Sequence, residues 1–327
     1  MTISYRNLRH FNSSVLQAIE SHQLNGSIDK LNILTNHVDK GFIRLVASTV
    51  RPYRFNSKAY GLALSFDLGH TKINIFEGPT FRNSSFFFKI ETNPSHFSSG
   101  GEYWDFLSGV LGREGLKENI VKRMDCALLC PSRLLPVDLF FQTIRFAGKQ
   151  RVSRFRDSRI RYRRAVCSGF SLGRSPHRVT CYDVDMERWK DRELYKKLKE
   201  KDELQPVDRT KFEIQIGNFK YAPMISCYGD FLKLGLVDPF GKTQFLNPFA
   251  VKFSASKKMD LKIENLRVLA FAHSYHNARA ILNRKNKKFE RVEAYIPNLM
   301  VSDPPVSLIG ILRDAYFRDV NAWLIKK

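Results

Sequence analysis

The sequence predicts an α+β fold, in which a central, mainly antiparallel sheet is flanked by helices and a smaller helical region follows toward the C-terminus. The first observation is the alternation of apolar and polar residues over 59–68 (AYGLALSFDL), with short alternating segments at 72–76 and 85–91 and glycine-containing turns between them. Alternation with a period of two is typical of strands that bury one face. The segment 209–216 (RTKFEIQI) shows the same alternation, and 101–111 (GEYWDFLSGVL) has its apolar residues at helical spacing.

Further segments complete the predicted architecture. Apolar runs bounded by turn residues predict additional strands at 42–50, 120–130, 166–172 and 178–182. Helix-favouring patterns predict helices at 136–146, 186–201, 228–236 and 306–325. We expect an N-terminal segment of unclear role at 1–57, an α+β core at 58–245 and a basic, largely helical region at 246–327.

The charge of the chain is its strongest global feature. The 327 residues include 54 Lys and Arg against 32 Asp and Glu, a formal net charge of +22. A field of this sign attracts polyanions and speeds their encounter with the protein. Nucleic acid is therefore the favoured partner, although a ribosome or an anionic membrane surface would produce the same signal.

The cysteines and the apolar runs bear on the compartment. The five cysteines are odd in number and scattered, and they show no zinc-binding spacing. No apolar run approaches the length needed to cross a bilayer, and the N-terminus shows no signal-peptide pattern. We therefore expect a reduced, cytoplasmic protein without membrane association.

An arginine-rich segment at 151–164 (RVSRFRDSRIRYRR) combines seven arginines with one Asp and two aromatic residues. Arginine suits both the oxygen atoms of a phosphate and stacking on a base. A solvated loop or an edge hairpin is the alternative interpretation. With the net charge behind it, we favour a nucleic-acid contact through the residues Arg154, Arg156, Arg159, Arg161, Arg163 and Arg164.

The stretch 177–187 (HRVTCYDVDME) carries the most specific chemistry. Tyr182 is placed near the junction of a strand and a charged helix, with Asp183, Asp185 and Glu187 close by in sequence. A phenol can attack a phosphodiester when a divalent cation polarises the phosphate and carboxylates hold that cation. The alternative is an ordinary half-buried strand tyrosine, followed by acids that favour a helix N-terminus.

Several motifs, taken in order from about residue 60 to 230, together resemble the replication initiation factor family. This family includes rolling-circle replication initiators of small plasmids and filamentous phages, and related relaxases of conjugative elements. The motifs are IETNPSHF at 90–97, VKRMDCA at 121–127, GFSLGRS at 169–175, VTCYDVDME at 179–187 and RTKFEIQ at 209–215.

The resemblance implies an enzyme that nicks one DNA strand by attack of a tyrosine, which leaves a 5′-phosphotyrosyl link and a free 3′-hydroxyl. By position, Tyr182 is the candidate nucleophile. Asp125, Glu213 and Glu187 are candidate ligands for Mg²⁺ or Mn²⁺, which prefer oxygen donors. Arg123, Arg178 and the arginine-rich segment would hold the DNA strand.

The chain departs from the family pattern at two positions. Leu129 stands where the family commonly has a second acid, four residues after the strand Asp, and Val184 stands where a Lys is expected. A lost ligand and a lost phosphate contact can each lower activity by orders of magnitude. Asp183 or Asp185 could substitute, or the chain could have kept DNA binding without nicking.

Three hypotheses of function follow. The first is a replication initiator or relaxase that acts on origin or transfer-site DNA, single-stranded or cruciform. The second is a DNA-binding control protein of the same ancestry whose nicking activity is weakened or lost. The third is an RNA-binding or ribosome-associated protein. A host helicase and a second copy of the chain are further candidate partners.

Overall fold

A computed structural model describes most of the predicted core and the end of the chain. The described residues are 23–80, 84–132, 135, 137, 140, 144–146, 152–156, 167–174, 176–185, 209–217, 223–245 and 308–326. Within them, no helix is long and apolar enough to span a membrane.

A large antiparallel sheet dominates the fold and confirms the predicted α+β class. Its strands are β1 (Asn25–Thr35), β2 (Tyr53–Arg54), β3 (Tyr60–Asp67), β4 (Lys72–Pro79), β5 (Phe88–Thr92), β6 (Asn119–Pro131), β8 (Val152–Arg156), β9 (Cys167–Arg174), β10 (His177–Asp183) and β11 (Arg209–Gly217). These ten strands lie in the order β2-β3-β4-β5-β1-β6-β11-β10-β9-β8. A second, two-stranded sheet pairs β7 (Ile144–Phe146) with β12 (Thr243–Phe245). Because hairpins supply most neighbours, the sheet is built largely from sequence-local pairs.

The helices of the described residues flank this sheet. They are α1 (Lys40–Thr49), α2 (Gly100–Lys117), α3 (Tyr228–Leu232) and α4 (Leu308–Ile325), with single 3-10 turns at Pro94–His96, Lys233–Leu236 and Pro239–Lys242. Ser99 begins α2 as its N-cap, since its side chain accepts a hydrogen bond from the backbone N–H of Glu102.

One face of the sheet forms the hydrophobic core. Leu31 and Ile33 of β1 are fully buried, as are Tyr103 and Leu107 of α2. Tyr103 keeps its hydroxyl paired inside the core through a 2.7 Å hydrogen bond with Thr92. Satisfaction of this buried polar group removes the penalty that an unpaired hydroxyl would carry. Among the described residues, α2 and α4 therefore cover the apolar face of the sheet, and the opposite face carries polar side chains.

The C-terminal helix α4 packs on the central strand β1. At Gly26 an added Cβ would lie 2.6 Å from the Cα of Tyr316, and at Gly100 it would lie 2.6 Å from the carbonyl oxygen of Leu324. Both positions need glycine because the helix backbone comes this close. The backbone N–H of Gly26 also donates to Asp319 at 2.7 Å. The segment 1–57 thus supplies a strand of the sheet, and the segment 246–327 supplies a helix that packs on it.

The predicted strand at 42–50 is wrong, because this segment forms helix α1. Asp39 caps it by accepting a 2.8 Å hydrogen bond from the backbone N–H of Phe42. Phe42 and Val46, one helical turn apart, pack against the core, and the Phe42 ring meets Phe106 of α2 at 6.0 Å. Their spacing of four residues is the helical signal that the short apolar run concealed.

The other predicted elements have mixed outcomes. The predicted helix at 136–146 is wrong at its end, because β7 pairs with β12 and this long-range pairing overrides the local preference. The meander β3-β4-β5, the long strand β6, the β9-β10 hairpin, β11 and the helices α2, α3 and α4 are confirmed. The predicted helix at 186–201 lies outside the described residues.

Candidate active site

The polar face of the sheet carries three of the residues that the sequence singled out. Residues paired across neighbouring strands point to the same side, and so do residues two apart in one strand. Asp125 of β6 is opposite Gln215 of β11, and Tyr182 of β10 is opposite Lys211. Since Lys211, Glu213 and Gln215 alternate along β11, Asp125, Glu213 and Tyr182 share one face.

Tyr182 and Glu213 are in direct contact. The phenol of Tyr182 donates a 3.1 Å hydrogen bond to Oε1 of Glu213, and both side chains are half-buried. Burial, reinforced by the negative charge of Glu213, raises the pKa of Tyr182 above its ordinary value, while the positive charge of Lys211 opposes this shift. The phenol is therefore protonated at neutral pH, with a carboxylate placed to accept its proton.

Lys211 lies beside this pair and joins it to a second acid. Its ammonium is 3.0 Å from Oε1 of Glu213 and 2.9 Å from Oδ2 of Asp29, and its side chain is only 18% exposed. Burial alone would lower the pKa of Lys211, but the charges of Glu213 and Asp29 outweigh it and raise the pKa. The lysine thus stays charged next to Tyr182.

Asp125 is held differently, by a two-pronged ion pair. Nε of Arg123 donates to Oδ1 of Asp125 at 2.7 Å, and its Nη2 donates to Oδ2 at 2.5 Å. The fork of the guanidinium matches both oxygen atoms of the carboxylate. Arg123, which we expected to hold DNA, is engaged with Asp125, whose side chain is 11% exposed.

Acids and bases alternate further along the same face. On β5, Lys89 lies 2.5 Å from Glu91, which also accepts a 3.3 Å hydrogen bond from the side-chain amide of Asn32 on β1. Burial opposes the ionisation of Glu91, but Lys89 outweighs it and lowers the pKa of Glu91. Acids and bases thus contact one another along the polar face, and Tyr182 is the candidate nucleophile among them.

The remaining predicted site residues are dispersed. Arg178 on β10 is exposed and lies opposite Gln215, on the same face as Tyr182. Arg154 and Arg156 lie on β8, an edge strand of the sheet. The residues that lie outside the described parts of the chain are Glu187, Arg159, Arg161, Arg163 and Arg164.

The two positions that depart from the family pattern both border the site. Leu129 of β6 is opposite Lys211 of β11, so an apolar side chain stands beside the lysine. Val184 follows the last residue of β10, as expected for a strand-to-helix junction after Tyr182. The candidate substitutes Asp183 and Asp185 are half-buried at the same junction.

Sequence reasoning missed Lys211 and Asp29 as members of the site. Lys211 could have been found, because it precedes Glu213 by two residues on an alternating strand and must share its face. Asp29 could not, since it lies in the N-terminal segment and reaches the site only because β1 enters the middle of the sheet.

The acids that are described do not fit a divalent cation as they stand. Asp125 gives both oxygen atoms to Arg123, and Oε1 of Glu213 is shared by Tyr182 and Lys211. These two acids are diagonal neighbours on adjacent strands, which lie about 7–8 Å apart. A cation bound by both would have to displace Arg123 from Asp125 and Lys211 from Glu213. Within the described parts of the chain, no group of three or more His, Cys, Asp or Glu is arranged to hold a metal ion.

Comparisons with known proteins give little further identification. No protein-family model matches the chain, and no curated protein sequence does. Among solved structures, the fold is similar to that of a rolling circle replication initiator protein from Geobacillus stearothermophilus. The two chains are 13% identical, the match covers 72% of this chain and 89% of the other, and the TM-score is 0.40.

Proposed function

We propose that this protein binds DNA and nicks one strand with Tyr182 as the nucleophile, in the manner of a rolling-circle replication initiator or relaxase. The observation that carries the proposal is the hydrogen bond from the Tyr182 phenol to Glu213, with the ammonium of Lys211 next to it. A nucleophile, an acceptor for its proton and a fixed positive charge thus lie within one cluster. Such a cluster meets the geometric requirement for covalent catalysis on a phosphodiester.

The reaction balances without a further reactant. The phenol oxygen of Tyr182 forms a bond to phosphorus while the bond from phosphorus to the 3′-oxygen breaks. The phenolic proton passes to Glu213, and the departing 3′-oxygen takes a proton from solvent. The products are a 5′-phosphotyrosyl link and a 3′-hydroxyl that can prime synthesis. Because the pKa of the phenol is raised, proton acceptance by Glu213 during attack is what makes the oxygen nucleophilic.

DNA binding rests on charge. The net charge of +22 supplies a long-range attraction for the phosphate backbone. Arg178 is exposed on the same face as Tyr182, and Arg154 and Arg156 lie on the edge strand two positions from β10. We propose that the DNA strand enters along the edge of the sheet formed by β8, where the arginine-rich segment 151–164 also begins.

Binding of Mg²⁺ or Mn²⁺ by Asp125, Glu213 and Glu187 stays a prediction. The described acids are already paired with bases, so no step of the reaction above is assigned to a metal. A host helicase and a second copy of the chain likewise stay candidate partners.

A second candidate function is a DNA-binding control protein without nicking activity. The observation that favours it is the bidentate pair between Arg123 and Asp125, which occupies an acid that the family would give to a metal. Leu129 and Val184, which stand where the family has an acid and a Lys, also favour this alternative. Under this alternative the cluster around Tyr182 would be a structural network.

Covalent capture of DNA by the protein distinguishes these hypotheses. Purified protein is incubated with a library of labelled single-stranded oligonucleotides that carry randomised stem-loops, with Mg²⁺, Mn²⁺ or EDTA, and adducts are counted after denaturation in SDS. We expect a protease-sensitive adduct with the wild type and none with Tyr182→Phe. Salt-sensitive DNA binding without adduct under any of the three conditions would establish the control protein instead, and preference for RNA in a parallel binding assay would establish the RNA-binding hypothesis.

A further inference from the structure

Asp29 occupies an irregular position in the central strand. Along the β1-β6 ladder, Ile28 pairs with Cys126 and Lys30 with Asp125, so Asp29 is an extra residue without a partner in register. A bulge of this kind turns a side chain away from the direction that regular alternation would give it, and bulges are frequent next to active sites. Asp29 and Lys30 can thus both serve the polar face.

The carboxylate of Asp29 reaches a strand that is not its neighbour. β6 separates β1 from β11, yet Oδ2 of Asp29 lies 2.9 Å from the ammonium of Lys211. At the level of Glu213, β6 presents only the methyl group of Ala127, which is opposite both Glu213 and Ser27. A small side chain there leaves room for the long lysine to cross.

Asp29 is also supported from the other side. Oγ of Ser95, in the 3-10 turn that follows β5, lies 3.5 Å from Oδ1 of Asp29. Oδ1 of Asp29 therefore faces Ser95, and Oδ2 faces Lys211 on the far side of β6. Such a carboxylate holds Lys211 in a defined direction rather than as a mobile surface ion pair.

We propose that Asp29 and Lys211 are positioning residues of the nicking site, which fix Glu213 as the hydrogen-bond acceptor of Tyr182. This inference rests on the function proposed above. The contacts form one chain: Asp29 holds Lys211, Lys211 binds Oε1 of Glu213, and the same oxygen accepts the phenolic hydrogen. Loss of Asp29 leaves Lys211 anchored to Glu213 alone, so the carboxylate becomes free to rotate away from the phenol. Small misplacements of reacting groups have large effects on rate.

The test reads the environment of Tyr182 separately from nicking. Protein labelled with 3-fluorotyrosine is studied by fluorine NMR, and the resonance of Tyr182 is assigned by its absence in Tyr182→Phe. We expect Asp29→Asn and Lys211→Met to shift this resonance in the direction seen with Glu213→Gln. The matched control is Lys89→Met, which breaks a lysine–glutamate pair on the same face but remote from Tyr182 and should leave the resonance unchanged.

The second readout is the rate of adduct formation. We expect Asp29→Asn to lower the rate at saturating DNA about tenfold while the Kd for DNA changes less than about threefold, because the residue positions the acceptor and does not touch DNA. Lys211→Arg, which keeps the charge, should retain most of the rate that Lys211→Met loses. Circular dichroism of each variant confirms folding.

The outcomes are separable. An unmoved Tyr182 resonance in folded Asp29→Asn overturns this inference and leaves the proposed function intact. An unchanged rate at saturating DNA in Asp29→Asn also overturns it. Absence of adduct with the wild type overturns the proposed function and the nicking role of Asp29 together, while the NMR shift still reports whether Asp29 acts on Tyr182.

Discussion

Asp125 and Glu213 lie on neighbouring strands of one sheet face, and each is paired with a base, but the two pairs differ in what they leave available. Arg123 closes both oxygen atoms of Asp125 in a fork. Glu213 instead shares one oxygen atom between Lys211 and the phenol of Tyr182. A carboxylate is therefore enclosed in an ion pair on β6, whereas on β11 it also accepts a hydrogen bond from a phenol. A carboxylate on a polar sheet face takes its role from the geometry of its partner, not from its position in a motif.

The largest expected effect separates the two acids by activity. Glu213→Gln should lower the rate of adduct formation about 100-fold or more, because the phenol loses its proton acceptor. Asp125→Asn should lower it only a few-fold. Rates are measured under single-turnover conditions with the oligonucleotide that forms the most adduct. Equal and complete loss in both variants would instead favour the metal site implied by the family resemblance.

Stability should rank the two acids in the opposite order. Asp125→Ala leaves Arg123 without its partner in a largely enclosed position, which we expect to lower the free energy of unfolding by about 1–3 kcal/mol. Glu213→Ala should cost less, because Lys211 keeps its contact with Asp29. Urea denaturation followed by circular dichroism measures both. A larger loss for Glu213→Ala would show that the Tyr182 cluster, and not the Arg123 pair, stabilises this face.

Metal affinity offers a third comparison. If the bases neutralise the acids, then removing one base should make a cation site: Lys211→Met should bind Mn²⁺ about tenfold more tightly than the wild type, since Glu213 and Asp29 are left without their positive partner. Calorimetric titration with MnCl₂ measures this, with Lys89→Met as the control. Tight binding by the wild type and no gain in the variant would contradict the assignment.

The smallest expected effect concerns the arginines. Replacement of Arg159, Arg161, Arg163 and Arg164 by Ala should flatten the slope of log K against log salt by up to about 2.8–3.6, at roughly 0.7–0.9 per phosphate contact. Arg123→Gln should leave the slope unchanged, because its guanidinium is engaged with Asp125. An unchanged slope in the fourfold variant would show that the arginine-rich segment 151–164 does not contact the phosphates of DNA.

Local patterns in the sequence predicted most of the strands. They did not predict that β1 lies in the middle of the sheet or that α4 packs on it. The alternation of β3 and β11 is visible in the sequence because each strand buries one face. The segment 42–50 was misjudged because a short run of apolar residues fits either period, and only contact with Phe106 and the cap at Asp39 decides for a helix.

The residues of the candidate site could be predicted from the sequence in part, for the same reason. Tyr182 and Glu213 were identified from motifs on strands whose alternation placed them on the polar face, and the structure brings them into contact. The pairing of Asp125 with Arg123 follows from their separation by two residues on one strand, which the motif-based assignment overlooked. Asp29 depends on a bulge and on the insertion of β1 between β5 and β6, which no local pattern encodes.

The close packing of α4 on β1 has a consequence for synthesis. The strand at the middle of the sheet is synthesised well before the helix whose backbone meets Gly26. Until that helix emerges, the apolar side of β1 lacks its cover and is open to wrong associations. A nascent chain stalled before residue 308 would therefore expose this side of β1, and even a short deletion within α4 would remove contacts of Gly26.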